Sequence, residues 1–332
     1  MKKTLIASAI AAATFSGSVL AQESNLPTIY GNIQLAATYD DYKDGPSETN
    51  HFDNGSTVGV LHDHAITPNL EGFFKAEFHF DAEANDANAD KDDGIYEIDE
   101  AYIGVRGDNF GQLWVGKDDS TYERAVTVIS EYYETAVIRQ AAPYSTGEGD
   151  LVQYMSPSFG GLSIWGAVQY NGDSDTKGGD DKSFPWQLAA VYTMDNLELA
   201  AAIDSNDNTG LDANNENTYG VRGTYSLDNL ALTAEYHTRD DVRDTYGVMG
   251  VYTLGANRFA LSYERTEEDF GSELDYDTVT LQALHNLSDN MYVYVEGYLG
   301  GGDNVYEYED DAGNDAYTDE RTVAAVGAVY YF

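Results

Sequence analysis

From residue 28 to the C-terminus the chain alternates apolar and polar positions with a period of two. In Glu71–Asp81, Gly72, Phe74, Ala76, Phe78 and Phe80 share one face, and Glu71, Phe73, Lys75, Glu77, His79 and Asp81 share the other. Leu162, Ile164, Gly166, Val168 and Tyr170 likewise oppose Ser163, Trp165, Ala167, Gln169 and Asn171. The split recurs with Leu197, Leu199, Ala201 and Ile203 against Glu198 and Asp204, and with Tyr219, Val221, Gly223 and Tyr225 against Thr218, Arg222 and Thr224. It recurs again with Leu230, Leu232, Ala234 and Tyr236 against Thr233, Glu235, His237 and Arg239. These are strands whose two faces meet different surroundings. Segments at 28–40, 56–66, 71–83, 95–107, 112–118, 149–156, 162–171, 184–193, 197–205, 217–226, 230–239, 245–254, 258–266, 276–286, 291–299 and 321–332 predict sixteen of them.

Short turns (Thr67-Pro-Asn69, Asp108-Asn-Phe-Gly111, Asp195-Asn196, Leu227-Asp-Asn229, Gly255-Ala-Asn257) interleave with long, acidic, Gly- and Asn-rich connections. An even number of strands of about ten residues, with short connections on one side and long ones on the other, is the pattern of a closed antiparallel transmembrane β-barrel. Short turns then face the periplasm and long loops the exterior. Aromatics near strand ends on the apolar face, among them Tyr39, Tyr170, Trp186, Tyr192, Tyr225, Tyr236, Tyr252, Tyr263, Tyr330 and Phe332, read as an interfacial girdle. The first 21 residues, with Lys2, Lys3, an apolar run from Leu5 to Phe15 and the ending Val19-Leu-Ala21, read as a cleaved secretory signal peptide. Residues 22–332 then form one all-β domain. No stretch of that domain approaches the 18 consecutive apolar residues of a membrane helix.

Composition removes other classes. With 17 Lys+Arg against 58 Asp+Glu and a formal charge of −41, the chain is no nucleic-acid binder, because phosphate neutralisation dominates such binding. With no cysteine it holds no disulfide and no thiol nucleophile, and no Ser/His/Asp arrangement gathers on one strand edge, so it reads as no enzyme.

Four stretches carry a family resemblance. Asp150-Leu-Val-Gln-Tyr-Met-Ser-Pro-Ser-Phe-Gly-Gly-Leu162, running on to Val168-Gln-Tyr170, resembles the sixth and seventh strands of general diffusion porins of Gram-negative outer membranes. So do Ile29-Tyr-Gly-Asn-Ile-Gln34, the segment Ala101-Tyr-Ile-Gly-Val-Arg-Gly107 leading to Gly111-Gln-Leu-Trp-Val-Gly-Lys117, and the terminal Tyr330-Tyr-Phe332. The resemblance implies a trimeric, sixteen-stranded, water-filled pore for small hydrophilic solutes, with a third loop folded inward to narrow it. It also implies that Tyr330 and Phe332 are a signal for the barrel-assembly machinery. The segment 118–149 is the candidate constriction loop, since so long a connection is usually functional. It carries Glu123, Arg124, Glu131, Glu134, Arg139 and Glu148, and its Val126–Ile129 and Ala136–Ile138 favour burial.

Porins of this family typically set wall arginines against loop acids. Here Thr57 and Leu61 stand on the second strand, Asp99 on the fourth, and Glu148 and Asp150 before the sixth, leaving Lys75 as the clearest wall cation. Lumen-facing acids Glu77, Asp81, Glu83, Glu97, Asp99, Glu198, Glu235, Glu264 and Glu296 outnumber Arg222, Arg239 and Arg321. A single-sign field focused by low-dielectric walls enriches cations, so the expected pore is cation-selective. The alternative is a substrate-specific sugar channel, with Trp165 and Tyr292, Tyr294 and Tyr298 as an aromatic path.

No cofactor or metal is expected. The acidic runs 85–94 and 309–315 lack the spacing of a calcium loop, and read as solvated loops bridged loosely to lipopolysaccharide by divalent cations. His62-Asp-His64 reads as a rim or trimer contact, and Gly31, Ala37, Gly59, Ala65 and Gly72 as small residues letting neighbouring barrels of a homotrimer approach.

Overall fold

The alternation resolves, in a computed structural model that describes residues 26–83, 95–170, 183–207, 216–269, 271, 273–310 and 312–332, into seventeen strand segments and one short helix. The proposed signal peptide and the 85–94 run lie outside the described residues. In chain order the elements are β1 (Thr28–Tyr42), β2 (Ser47–Asp53), β3 (Thr57–Thr67), β4 (Leu70–Phe80), β5 (Ile95–Gly107), β6 (Gly111–Lys117) and α1 (Thr121–Val126). There follow β7 (Leu151–Met155), β8 (Leu162–Gln169), β9 (Trp186–Met194), β10 (Leu197–Asp204), β11 (Thr218–Leu227) and β12 (Leu230–Arg239). The last five are β13 (Arg243–Leu254), β14 (Asn257–Glu268), β15 (Asp275–Ser288), β16 (Met291–Glu309) and β17 (Asp315–Tyr331). Each pairs antiparallel with its neighbours, and β1 pairs with β17 from Asn32↔Tyr331 to Tyr42↔Arg321, which closes the sheet into a barrel.

The barrel has sixteen strand positions, and the seventeenth segment arises because β2 and β3 share one. Thr28–Asn32 of β1 pairs with β3 and Leu35–Asp41 with β2, the register slipping by one residue at Asn54-Gly-Ser56. Asp53 fixes that break: its carboxylate accepts the backbone N–H groups of Gly55 and Ser56 at 2.9 and 2.7 Å. The predicted loops at 41–55 and 300–320 are therefore corrected. Residues 41–42, 47–53, 300–309 and 315–320 are strand beyond the sixteen predicted segments, with Lys43 bonded to Glu320 at 2.6 Å and the Tyr42 and Tyr308 rings 5.5 Å apart. Asp310 closes the β16–β17 hairpin by accepting the N–H groups of Ala312 and Asn314 at 2.8 and 3.0 Å.

Short turns on the other rim take the left-handed residues they require. Asp195, Asp228 and Gly255 open two-residue turns at φ 50°, 40° and 60°, where a small polar side chain or none is tolerated. The outward face is apolar and bare: Leu199, Tyr219, Val221, Leu232, Tyr236, Val248, Leu261, Val295 and Val326 are all exposed. The buried apolar core lies inside the barrel instead, where the segment between β6 and β7 packs on the wall. Ile129, Tyr132, Tyr133 and Ile138 meet Met249, Val251, Ala260, Tyr298, Tyr306 and Val323, while Tyr122, Ala125, Val126 and Ala142 meet Ala189, Val191, Ala200 and Ala202. In the second contact the small wall residues Ala189, Ala200 and Ala202 leave room for Tyr122, and fully burying a side chain such as Val126 or Ile129 is worth about 1.5–3 kcal/mol.

Candidate functional site

The inward loop begins with a locally specified helix. Ser120 caps α1 by accepting the Glu123 N–H at 3.2 Å, and Glu123 sits in the first turn, the Ser-x-x-Glu spacing of a helix start. At the other end the Thr127 hydroxyl returns to the Glu123 carbonyl at 2.9 Å. One side of the six-residue helix is held by the wall: the Tyr122 N–H donates to Gln187 Oε1 at 2.9 Å, and Arg222 Nε donates to the Ala125 carbonyl at 2.9 Å.

Beyond the helix the loop is fastened by wall carboxylates. Glu235 of β12 accepts the Val128 N–H at 3.0 Å and the Ile129 N–H at 3.3 Å. Glu296 of β16 accepts the Glu134 N–H at 2.7 Å, the Thr135 N–H at 3.1 Å and the Thr135 hydroxyl at 2.7 Å. Asp204 of β10 accepts the Thr146 N–H and hydroxyl at 3.2 and 2.7 Å. These acids stand in for the strand partners that an irregular buried segment lacks. Alternation predicts Glu235, Glu264 and Glu296 on the lumen side as free charges. That reading is corrected, because Glu235 and Glu296 are buried beneath the loop as its anchors and Glu264 is buried beside Ile129.

The tyrosines suggested as a sugar path are displaced likewise. Tyr294 and Tyr298 are buried, Tyr298 and Tyr133 stack edge to face at 6.1 Å, and the Tyr292 hydroxyl donates to Glu134 at 2.9 Å. Glu134 is thus directed to the β16 wall. Trp165 packs beside the α1 cluster and donates its Nε1 to Ser163 at 3.0 Å.

The remaining charges gather at the root of the loop and on β4–β5. Lys75 lies 2.8 Å from Glu100 and 3.8 Å from Glu77, and His79 lies 3.3 Å from Asp99. One carboxylate oxygen from each of Glu77, Asp99 and Glu100 falls within 4.8 Å of the others. Asp118 accepts from Trp114 Nε1 at 2.6 Å and pairs with Arg124 at 3.2 Å, Arg124 itself lying over the Trp114 ring. Arg139 pairs with Glu131 at 3.0 Å and Lys117 with Glu148 at 3.4 Å. Tyr144 donates its hydroxyl to Glu123 at 2.9 Å. Glu100, Asp118 and Asp119, which sequence reasoning did not single out, belong to this group.

Burial raises the Asp119 carboxyl to about 7, with Asp118 and Glu100 adding to the rise. Burial, then Asp119 and Glu131, raise Glu123 to about 8. Glu131 rises for the same first reason, opposed by Arg139. Asp119 and Glu131 thus both act on Glu123, as like charges held close together do.

Away from the root, Arg222 pairs with Glu198 at 2.7 Å, Arg321 pairs with Asp40, and Arg239 reaches the Pro143 carbonyl at 3.5 Å. Asp81 and Glu83 lie past the end of β4, Glu83 meeting His51 at 2.8 Å, and Glu97 is exposed on β5. His62 and His64 share the outward face, their rings 5.8 Å apart. Gly59 does not, since its absent side chain makes room for the Tyr30 ring on the inner face, and it is withdrawn from the outward small residues. Tyr330 and Phe332 point outward, Phe332 covering Gly31.

Comparison with known proteins agrees with this geometry. A monosaccharide porin of Halomonas sp. is 29% identical over 390 aligned positions that cover the whole of both chains. An anion-selective porin from Comamonas acidovorans superposes with a TM-score of 0.71 at 16% identity, over 92% of this chain and 99% of that one. The trimer form of OmpT from Vibrio cholerae superposes with a TM-score of 0.64 at 17% identity, over 92% and 99%. Residues 7–305 match the Gram-negative porin family, and with the closed barrel and its inward loop this makes the chain a member of that family: an outer-membrane channel and not an enzyme.

Proposed function

We propose that the channel passes cations in preference to anions, and that the loop root and the β4–β5 wall set this preference. The observation that carries the reading is the pairing of the bases. Lys75, Lys117, Arg124 and Arg139 each lie against an acid, while Glu77, Asp99, Glu100, Asp118, Asp119, Glu123, Glu131 and Glu148 number twice as many. The surplus is negative even with Asp119 and Glu123 neutral, grows as they ionise, and sits where low-dielectric protein focuses it. The zero-current potential across a KCl gradient in a planar bilayer tests this. A potential toward the potassium limit is expected, and one of anion sign would overturn the reading.

A second reading concerns solutes. The Halomonas relative is named for monosaccharides, and its likeness spans the full chain, so we propose that small neutral sugars also pass. With Tyr292, Tyr294 and Tyr298 held under the loop, such sugars cross by size and not along an aromatic slide. Liposome swelling should then fall smoothly from mono- to trisaccharides, whereas saturable current block by one sugar would favour a binding channel.

The protein acts as a homotrimer in this proposal, in keeping with the trimer form of the Vibrio cholerae neighbour, and Tyr330 and Phe332 are what the assembly machinery reads. Divalent cations bridge its exterior acids to lipopolysaccharide.

A further inference from the structure

We propose that Gly220 and Gly247 are positioning residues of the channel: sockets in the barrel wall that receive Tyr122 and Ile129 and thereby set how far the loop stands into the lumen. The inference rests on the reading of 118–149 as the constriction.

Both glycines sit mid-strand on the inner face, where glycine weakens a strand unless something approaches closely. Neither has a positive φ, so backbone freedom is not what they supply. A Cβ on Gly220 would stand 2.5 Å from the Tyr122 hydroxyl and 2.8 Å from Val126 Cγ2, and one on Gly247 would stand 3.0 Å from Ile129 Cδ1. The loop occupies the volume a side chain would need.

The first socket has a latch. His237 is the cross-strand partner of Gly220, is buried, and holds the Tyr122 hydroxyl at 2.9 Å through Nδ1. The second lies between two acids, since Gly247 is in register with Glu235 on one side and Glu264 on the other. Ile129 enters that gap while its own N–H bonds Glu235. Tyr122 and Ile129 are seven positions apart along the loop, so two sockets fix both its height and its orientation.

Outward glycines on the same two strands provide the contrast. A Cβ on Gly223 or Gly250 would meet only Leu199 at 3.4 Å or Leu232 at 3.5 Å, which is ordinary contact. G223A and G250A are the controls.

The experiment reads single-channel conductance and the KCl reversal potential of G220V, G220A and G247V in bilayers, with heat-modifiable gel mobility reporting barrel closure. A filled socket pushes the loop off the wall, so a closed barrel with conductance lower by roughly a third is expected for G220V, with G220A intermediate and the controls unchanged. Adding Y122L and V126A to G220V should restore conductance, which a merely damaged barrel would not show. Closed-barrel G220V and G247V with wild-type conductance and potential would overturn the proposal. Failure of both G220V and G220A to close would overturn it too, since the sockets would then serve the barrel and not the loop. D119N/E123Q separates the two readings: if it also leaves conductance and potential unchanged, the constriction reading fails, and if it alone changes them, only the socket inference fails.

Discussion

The carboxylate of Glu235 receives the consecutive backbone N–H groups of Val128 and Ile129, at 3.0 and 3.3 Å, so that a wall acid closes the peptide chain of the inward loop as a strand partner would. Glu296 repeats the arrangement on Glu134 and Thr135. A porin wall acid can therefore serve as scaffold for the inward loop instead of as a free lumen charge.

The first prediction follows from that division. E235A leaves the buried Ile129 N–H, at about 1–3 kcal/mol, and the half-buried Val128 N–H without their acceptor, and E296A does the same to the half-buried Glu134 and Thr135 N–H groups at a smaller cost. Each should keep a closed barrel, because the strand ladder is untouched, yet give broadened and fluctuating single-channel currents. E235Q, which still offers one acceptor oxygen, should be milder. Quiet wild-type currents in E235A would show that the apolar packing of Ile129 and Tyr133 suffices to hold the loop.

The pH dependence of selectivity has a definite sign. Asp119, raised by burial with Asp118 and Glu100 to about 7, and Glu123, raised by burial with Asp119 and Glu131 to about 8, are largely neutral below these values and charged above them. The potassium-to-chloride permeability ratio should therefore rise between about pH 6 and 9, measured as reversal potential at fixed gradient. D119N/E123Q should flatten that rise while leaving the pH 5 value near wild type. A ratio that falls with pH across this window would show that the titrating groups are basic.

The limits of alternation explain which of these residues were legible. A period of two assigns a residue to a face; it says nothing of what covers that face. The loop's position is a tertiary matter, settled by Tyr122 over Gly220 and Ile129 over Gly247. The Ser120-x-x-Glu123 spacing was the visible sign that a helix starts there. The segments 41–53 and 303–320 fail for another reason: outside the membrane both faces of a strand meet water, so the period disappears although pairing continues. Asp99 was placed in the lumen, but its neighbours Glu77 and Glu100 come together only through the register of β4 with β5.

Lys75 offers a sharper test of the wall. Lying against Glu100 and Glu77, it is the base nearest the three clustered carboxylates. K75Q removes one positive charge from a focused field and should raise the cation preference by about twofold, while E77Q/E100Q should lower it. The measurement is again the reversal potential, at low and high salt. An unchanged ratio in both variants would place the selectivity determinant wholly on the loop.

The projecting β16–β17 hairpin decides whether exterior acids contribute. Asp303, Glu307, Glu309, Asp310 and Asp315 lie on the part of the hairpin farthest from the loop anchor Glu296. Exposed charges are screened within about 10 Å at 0.1 M salt and about 3 Å at 1 M, whereas half-buried lumen carboxylates are screened far less. Replacing the five by their amides should therefore reduce conductance modestly at 0.1 M, by lowering the cation concentration at the mouth, and leave both conductance and selectivity unchanged at 1 M. D119N/E123Q should behave oppositely, shifting selectivity at both salt concentrations. If the exterior replacement alone abolished cation preference at 1 M, the loop root would be a passive narrowing, and the field that sorts ions would reside in the hairpin.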